Sequence, residues 1–393
     1  MISCGEPSGD LYAGALVEEL RRRAPAAEIF GFGSERFRIA GGRLVGDFAG
    51  ISVTGLTEAL RVLPRSYAMF RRLVGAARET RPDVFVAIDF PDFNFRLMAA
   101  LKKLGIPIVY YISPQLWAWR PGRMQTMKAL VDRVLVIFPF EQELYRREGV
   151  DVSFVGHPLV DLARATVPRD RFLREHGLDP AAPTVALLPG SRPNEVRRIL
   201  PDMAAAIPLI VRRVPGVQFV VACAPNLTED SFARLHASAD AAPDARPVAG
   251  AGFSRPVLVR GRADDVLAAC DVVVTASGTA TVQAALHERP MVVVYRLSNL
   301  TYRLGKPFVK VDTYAMANLV AGRRIVPELI QQDFTPERVA DETVSFLTDP
   351  ARYHATQQGL RDVRARLGAA GASGRAADAI LELVHRRAHQ PRL

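Results

Sequence analysis

The sequence predicts an α/β protein, with two Rossmann-like domains facing a cleft and a set of C-terminal helices. Three observations predict it. Short apolar runs rich in Val and Ile alternate with helical patterns, as parallel strands buried on both faces do. The alternation runs through both halves of the chain. The 393 residues, 49% of them hydrophobic, suffice for two or three cores. The expected bodies are residues 1–165, 166–345 and 346–393, with the first join near "VGHPLVDLARATVPRD", Val155 to Asp170.

In the first half, Ile2 to Cys4, Ile29 to Phe32, Val84 to Ile88, Ile106 to Ile112 and Val134 to Ile137 read as strands, with helices such as Leu11 to Arg23 and Phe93 to Leu104 between them. The first strand begins almost at Met1, which predicts a short edge or a further stretch before it. Ligands of open α/β sheets sit beyond the carboxyl ends of strands, so the residues just past each strand are the candidates. The first turn is "CGEPSGD". Gly5 and Gly9 permit a tight bend, Ser8 or Asp10 is placed to cap the helix, and Glu6 is placed to face the cleft. An ordinary capped turn has the same composition. It is not GxGxxG, which argues against a dinucleotide.

Next comes "DFPDFN", Asp89 to Asn94. Asp89 is the first residue past a buried strand, where a carboxylate is costly unless paired or used. It is placed to be a general base, or else a second cap or a structural hydrogen-bond acceptor, and Asp92 is placed to cap the following helix. "SPQLWAWRPGR" carries Trp117, Trp119, Arg120 and Arg123, a mixture that suits an amphipathic ligand, a membrane interface or plain loop packing. His157, in "GHP", is a candidate to orient a hinge or ligand, or a satisfied structural histidine.

The second half repeats the pattern with strands Val185 to Leu188, Phe219 to Ala222, Pro256 to Val259, Val272 to Thr275 and Met291 to Tyr295. Residues Ala237 to Gly252 read as a flexible loop, and helical patterns at Glu337 to Leu347, Tyr353 to Leu367 and Gly374 to Arg387 close the chain. Two strand ends here suit an anion. "LLPGSR" stops on a glycine turn, with Gly190, Ser191 and Arg192 before a helix; "TASGTATVQAA" puts Ser277, Gly278 and Thr279 before another. Helix N-termini carry unpaired N–H groups and the positive dipole end, and Arg grips phosphate bidentately. Together they predict a diphosphate site; two plainly capped helices are the alternative. There is no DxD motif and no metal-ligand spacing, so no metal or other cofactor is expected. The charge of a leaving diphosphate would then fall to Arg192 and the helix N-termini.

Lys and Arg total 51 against 41 Asp and Glu, a formal charge of +10. That favours an anionic partner (nucleic acid, an acidic lipid surface or a phosphorylated substrate) or reflects an Arg-rich surface. Cys4, Cys223 and Cys270 are scattered and odd in number, which fits a reducing compartment. No signal-peptide pattern is present and no apolar run approaches the ~18 residues of a span, so any membrane is expected to be met from one side. Ile51 to Glu79 interleaves Val53, Leu56, Leu60, Val62, Leu63, Met69 and Phe70 with Arg61, Arg65, Arg71 and Arg72. This suits an interfacial segment or acyl-chain groove, or an amphipathic helix packed on the sheet.

The ordered set "GEPSGD", "PDVFVAIDFPDFN", "SPQLWAWR", "FPFE", "FVGHPLVD", "LLPGSR..EV", "ASGTAT", "PMVVVYR" and "NLVAGR..VPELIQ" resembles the lipid-A-disaccharide synthase family over nearly the whole chain. The resemblance implies a metal-independent, inverting glycosyltransferase of the GT-B fold. The implied reaction moves 2,3-diacylglucosamine from UDP-2,3-diacylglucosamine to 2,3-diacylglucosamine 1-phosphate (lipid X). It yields a β-1,6-linked disaccharide and UDP, a step of lipid A and lipopolysaccharide biosynthesis. It implies Asp89 as base and Arg192 as an essential arginine. Nucleotide contacts are implied at Gly190, Ser191, Arg192, Ser277, Gly278, Thr279, Gln283, Tyr295, Arg296 and Asn318. Acceptor contacts are expected at Glu6, Ser8, Gly9 and Trp117. The resemblance also implies peripheral association with the anionic inner face of the bacterial inner membrane through the 51–72 segment. No nucleic-acid partner is expected, and the C-terminal segment allows for a homodimer. Two departures stand out: Gln283 replaces a usually acidic residue, and Pro7 stiffens the first turn. Competing readings are a UDP-N-acetylglucosamine 2-epimerase-like enzyme on the same fold and a non-catalytic lipid- or nucleotide-binding protein.

Overall fold

The computed structural model describes residues 1–48, 56–114, 116, 122–232, 235, 255–297 and 313–389, with the side chains at 56–62 outside the description. The described strands form two parallel sheets. The first contains β1 (Ile2–Cys4), β2 (Phe30–Gly33), β3 (Arg43–Asp47), β4 (Phe85–Ile88), β5 (Ile108–Tyr111), β6 (Arg133–Val136) and β7 (Val152–Phe154). Their order is β3-β2-β1-β4-β5-β6-β7. The second contains β8 (Thr184–Leu188), β9 (Gln218–Cys223), β10 (Val257–Arg260), β11 (Val272–Ala276), β12 (Met291–Tyr295) and β13 (Glu328–Ile330), in the order β10-β9-β8-β11-β12-β13. The central strands are buried along their length, as their Val-rich runs require when helices cover both faces.

Each sheet reverses its strand order once, between β1 and β4 and between β8 and β11. Crossovers leave in opposite directions there, which opens a crevice past the strand ends. The register decides which residues share that crevice. Cys4 pairs with Ile88, so Gly5 and Asp89 emerge side by side. Leu188 pairs with Thr275, so the turns at Pro189 and Ser277 emerge together. β1 lies between β2 and β4 rather than at a sheet edge, so the expected short edge is corrected. The strands missing from the sequence reading are β3, β7 and β13. Two have only three residues, and the third is interrupted by Gly46 and half exposed.

By their internal contacts the described residues group into two units. One holds residues 1–161 and the stretch from Leu367 onward; the other holds the described residues between Leu162 and Arg366. The helix Ala372–Ala388 thus packs within the first unit, against Pro7–Arg23. Arg23 Nε meets Asp378 Oδ1 at 2.5 Å, and the buried Arg133 bridges Asp151 (3.0 Å) and Glu382 (2.8 Å). The helices Pro336–Thr348 and Pro350–Arg366 belong to the second unit.

Candidate active site

At the first switch point the chain leaves β4 through two consecutive non-glycine residues in the left-handed region, Asp89 (φ 46°) and Phe90 (φ 49°). Such residues cost of order 1–3 kcal/mol each and persist only when their surroundings impose them. Here the surroundings do. The Asp89 carbonyl accepts hydrogen bonds from Tyr110 Oη (2.8 Å) and Asn94 Nδ2 (2.7 Å). Asn94 is fully buried, and its Oδ1 accepts from Ser3 Oγ at 2.7 Å. The turn therefore presents the partly exposed Asp89 side chain at the strand end. Burial lifts the Tyr110 pKa well up, with Asp89 adding to the shift.

The neighbouring turn is built to fit. A Cβ on Gly5 would lie 2.2 Å from the Phe90 ring, so only glycine passes there. Gly9 lets its helix approach Cys4, with a Cβ 3.3 Å from that side chain. The helix starts at Pro7 with Glu6 as N-cap, and no side chain caps it. The caps expected from Ser8 and Asp10 are thus corrected. Proline lacks an N–H and fits the first helical position, which moves the start upstream of both residues. Asp10 instead accepts from Ser34 N (2.7 Å) and Arg36 N (2.8 Å), fixing the next short helix. The expected Asp92 cap is corrected for the same reason: Pro91 opens the helix and Phe90 is the N-cap. Asp92 pairs with Arg123 at 2.5 Å, and Arg123 lies over the Phe95 ring. His157 is the structural alternative. It is buried, its Nδ1 accepts from Leu159 N at 3.2 Å, and the rings of Tyr12 and Phe138 meet its edges. Trp117, Trp119 and Arg120 lie outside the described residues.

At the second switch point Gly190 has φ 125°, and Arg192 is the N-cap of the helix Pro193–Val211. Glu195 joins the turn together: its Oε1 meets Arg192 Nη1 at 2.9 Å and its Oε2 accepts from Ser191 N at 3.3 Å. Asn226 Nδ2 donates to Ser191 O at 3.0 Å. Tyr295 closes the group. Burial raises its pKa, Glu195 adds to the rise, and Arg192 and Arg198 oppose it. Beside this turn Gly278 (φ 147°) is the N-cap of Thr279–Leu286, and a Cβ there would meet nothing within 4 Å. Ser277 Oγ donates to Tyr314 O at 3.0 Å, and Thr281 Oγ1 to Gly278 O at 2.7 Å.

Three expected nucleotide contacts are engaged elsewhere. Asn318 is buried. Its Nδ2 donates to Val326 O (2.9 Å) and Glu328 Oε1 (2.8 Å), and its Oδ1 accepts from Ile325 N (2.8 Å) and Val326 N (3.0 Å). These fill the side-chain amide's hydrogen-bonding capacity in one buried network. Glu328 extends it by accepting from Tyr314 N (2.9 Å) and Ala315 N (3.0 Å), the segment that receives Ser277. Arg296 pairs with Asp202, donates to Phe334 O and covers the Phe334 ring. Gln283 Nε2 donates to Asp264 Oδ1 at 3.2 Å, and His287 Nε2 lies 3.1 Å from the same oxygen. Asp264 thus brings a carboxylate beside the amide at 283.

The helix Leu56–Thr80 carries the apolar-basic segment. Leu63 and Tyr67, one turn apart, are 47% and 64% exposed, and Arg65, Arg71 and Arg72 are exposed. Met69 faces inward, packed where Gly46 of β3 leaves room. Val53 lies outside the described residues, as do the side chains of Leu56, Leu60, Arg61 and Val62. A cavity of about 350 Å³ lined by Arg169, Pro183, Asp271 and Tyr353 opens at the amino ends of β8 and β11, the opposite end of that sheet from its own switch point.

A sequence profile described as lipid-A-disaccharide synthetase matches residues 1–379. A lipid-A-disaccharide synthase of Myxococcus xanthus is 44% identical over 384 residues, covering 98% of this chain and 97% of the relative. Among solved structures, a UDP-GlcNAc 2-epimerase from Neisseria meningitidis superposes with TM-score 0.67 at 11% identity, covering 97% of this chain and 98% of that one. The glycosyltransferase of kitacinnamycin superposes with TM-score 0.60 at 19% identity, covering 98% of each chain. At such identities the structures speak for a shared fold alone.

Proposed function

The chain belongs to the lipid-A-disaccharide synthase family, and on that premise we propose how its strand ends carry out the transfer. It is a glycosyltransferase that moves 2,3-diacylglucosamine from UDP-2,3-diacylglucosamine to lipid X, giving the lipid A disaccharide and UDP. Asp89 takes the proton from the acceptor's 6-hydroxyl. The oxygen attacks the anomeric carbon on the face opposite UDP, so the configuration inverts. The bond from that carbon to the diphosphate oxygen breaks, and its electron pair leaves with UDP. Arg192, the Ser191 N–H and the helix start at Gly278 and Thr279 meet the departing charge without a metal.

The observation that carries the reading is the left-handed turn at Asp89, strained and held by Tyr110 and Asn94 at the switch point of its sheet. In this reading Glu6, Ser8 and Gly9 border the acceptor, and Tyr295 supports Arg192. Gln283 uses its amide oxygen toward ribose, while Asp264 supplies the charge usually found at its position.

Among the described residues no helix is long and apolar enough to cross a membrane. The acylated substrates then have to be met at the bilayer surface. Exposed Leu63 and Tyr67 beside Arg65, Arg71 and Arg72 support peripheral contact with the anionic cytoplasmic face of the inner membrane. The test is incubation with UDP-2,3-diacylglucosamine and lipid X, with and without EDTA, followed by mass spectrometry. Equal amounts of disaccharide and UDP are expected in both. Epimerisation of UDP-N-acetylglucosamine without disaccharide would favour the rival enzyme, and loss of product in EDTA restored by Mg²⁺ would overturn the metal-free step.

A further inference from the structure

We propose that Glu195 is a built-in anion that occupies the diphosphate site and is displaced when nucleotide binds, so that it sets how tightly UDP is held. The inference rests on reading Gly190–Arg192 as the diphosphate turn.

Glu195 is the third residue of a 19-residue helix, where an acidic side chain commonly folds back onto the unpaired N–H groups of the start. What matters is which groups it takes. Its two oxygens sit on Arg192 Nη1 (2.9 Å) and the Ser191 N–H (3.3 Å), the same guanidinium and backbone donor a phosphate would use. The carboxylate also fills the space above Gly190. A Cβ on that glycine would lie 2.7 Å from Glu195 Oε2 and 2.8 Å from its Cβ. The carboxylate thus offsets the charge of Arg192 within the turn itself. Arg192 and Glu195 side chains are 32% and 18% exposed, so the pair is shielded but open on one side.

A carboxylate and a diphosphate oxygen cannot share one N–H, and like charges at contact distance repel. Nucleotide entry thus requires the Glu195 carboxylate to leave. Arg198, three residues further on the same helix, is spaced to receive it. The arrangement makes affinity depend on ligand charge: only a group that outbids one carboxylate for Arg192 holds the site. After transfer, the returning carboxylate helps expel UDP.

The experiment is calorimetric titration of wild type and Glu195→Gln with UDP and with uridine, which lacks phosphate. The expected result is UDP binding tightened ~10-fold in the variant, the low end for one hydrogen bond to a charged group, with uridine affinity unchanged. Unchanged or weaker UDP binding in a variant of wild-type melting temperature would overturn the proposal, since a residue that only positions Arg192 gives that result. If the glutamine variant melts early, Glu195→Ala provides the second reading, and failure of both to tighten UDP overturns it equally. Wild type that ignores UDP, or Arg192→Ala that binds UDP as well as wild type, refutes the diphosphate reading itself, an outcome separable from the first.

Discussion

Replacing Tyr110 with Phe removes one of the two side-chain donors that hold the Asp89 carbonyl in its left-handed turn. The ring stays, so no cavity opens in the core. The carbonyl keeps Asn94 at 2.7 Å, so no buried acceptor is left unmatched. A net hydrogen bond contributes about 0.5–1.5 kcal/mol, so stability should fall by ~1 kcal/mol, readable as a lower urea midpoint at unchanged slope. The larger effect should fall on turnover. Asp89 and Phe90 together store about 2–6 kcal/mol of backbone strain, and a turn released from half its clamp relaxes toward ordinary angles. Misplacing a reacting group by about 1 Å can cost ~100-fold, so kcat should drop ~10–100-fold while KM for each substrate stays within about three-fold. Disaccharide formation under saturating substrates measures it. A Tyr110→Phe enzyme with kcat within two-fold of wild type would show that the clamp does not position Asp89.

Further expectations follow the same logic. Gly5→Ala drives a methyl into the Phe90 ring, so activity should fall at least ~10-fold with lowered stability; normal kinetics would mean the two turns are not coupled. Arg192→Ala should lose ~2–4 kcal/mol of transition-state stabilisation, seen in kcat/KM and insensitive to EDTA or Mg²⁺. Leu63→Ser with Tyr67→Ser should lower co-sedimentation with anionic vesicles and raise the KM for lipid X at unchanged melting temperature, because both side chains are already exposed; unchanged values would place the lipid surface elsewhere. His157 is kept neutral by burial, its pKa pushed down to about 3 from an ordinary 6.5. Between those values the unfolded chain binds a proton that the folded chain refuses. Its contribution is therefore full above pH 6.5 and falls as pH drops, by up to about 1.4 kcal/mol per unit until about pH 3. Urea titrations of His157→Gln should show a shallower loss from pH 6 to pH 4, and an unchanged slope would contradict it.

Most of the architecture was legible because buried parallel strands are written as continuous Val and Ile runs, and the candidate residues because they stand just past those runs. β3, β7 and β13 were not, since short or edge strands carry mixed sequence. The capping roles of Ser8, Asp10 and Asp92 misled because prolines at positions 7 and 91 set the helix starts one or more residues earlier. The four hydrogen bonds of Asn318 were not legible either, since they depend on the loop at Ile325 and Val326 and on Glu328, ten residues further on. Tyr110 and Ser3 were invisible as supports of Asp89 because they lie on other strands, and only the register brings them near. For Glu195 the sequence does hold a signal: an acidic residue three positions after an N-cap.

Asp89→Asn tests the role of Asp89 as the base most directly. Asparagine tolerates the left-handed region and keeps the side-chain shape, so the turn should survive the change. Disaccharide formation from UDP-2,3-diacylglucosamine and lipid X should fall by ~10²–10⁴-fold, the scale of a positioned base, while UDP affinity and melting temperature stay at wild-type values. Turnover within a few-fold of wild type, in an enzyme that still binds UDP, would remove Asp89 from the mechanism.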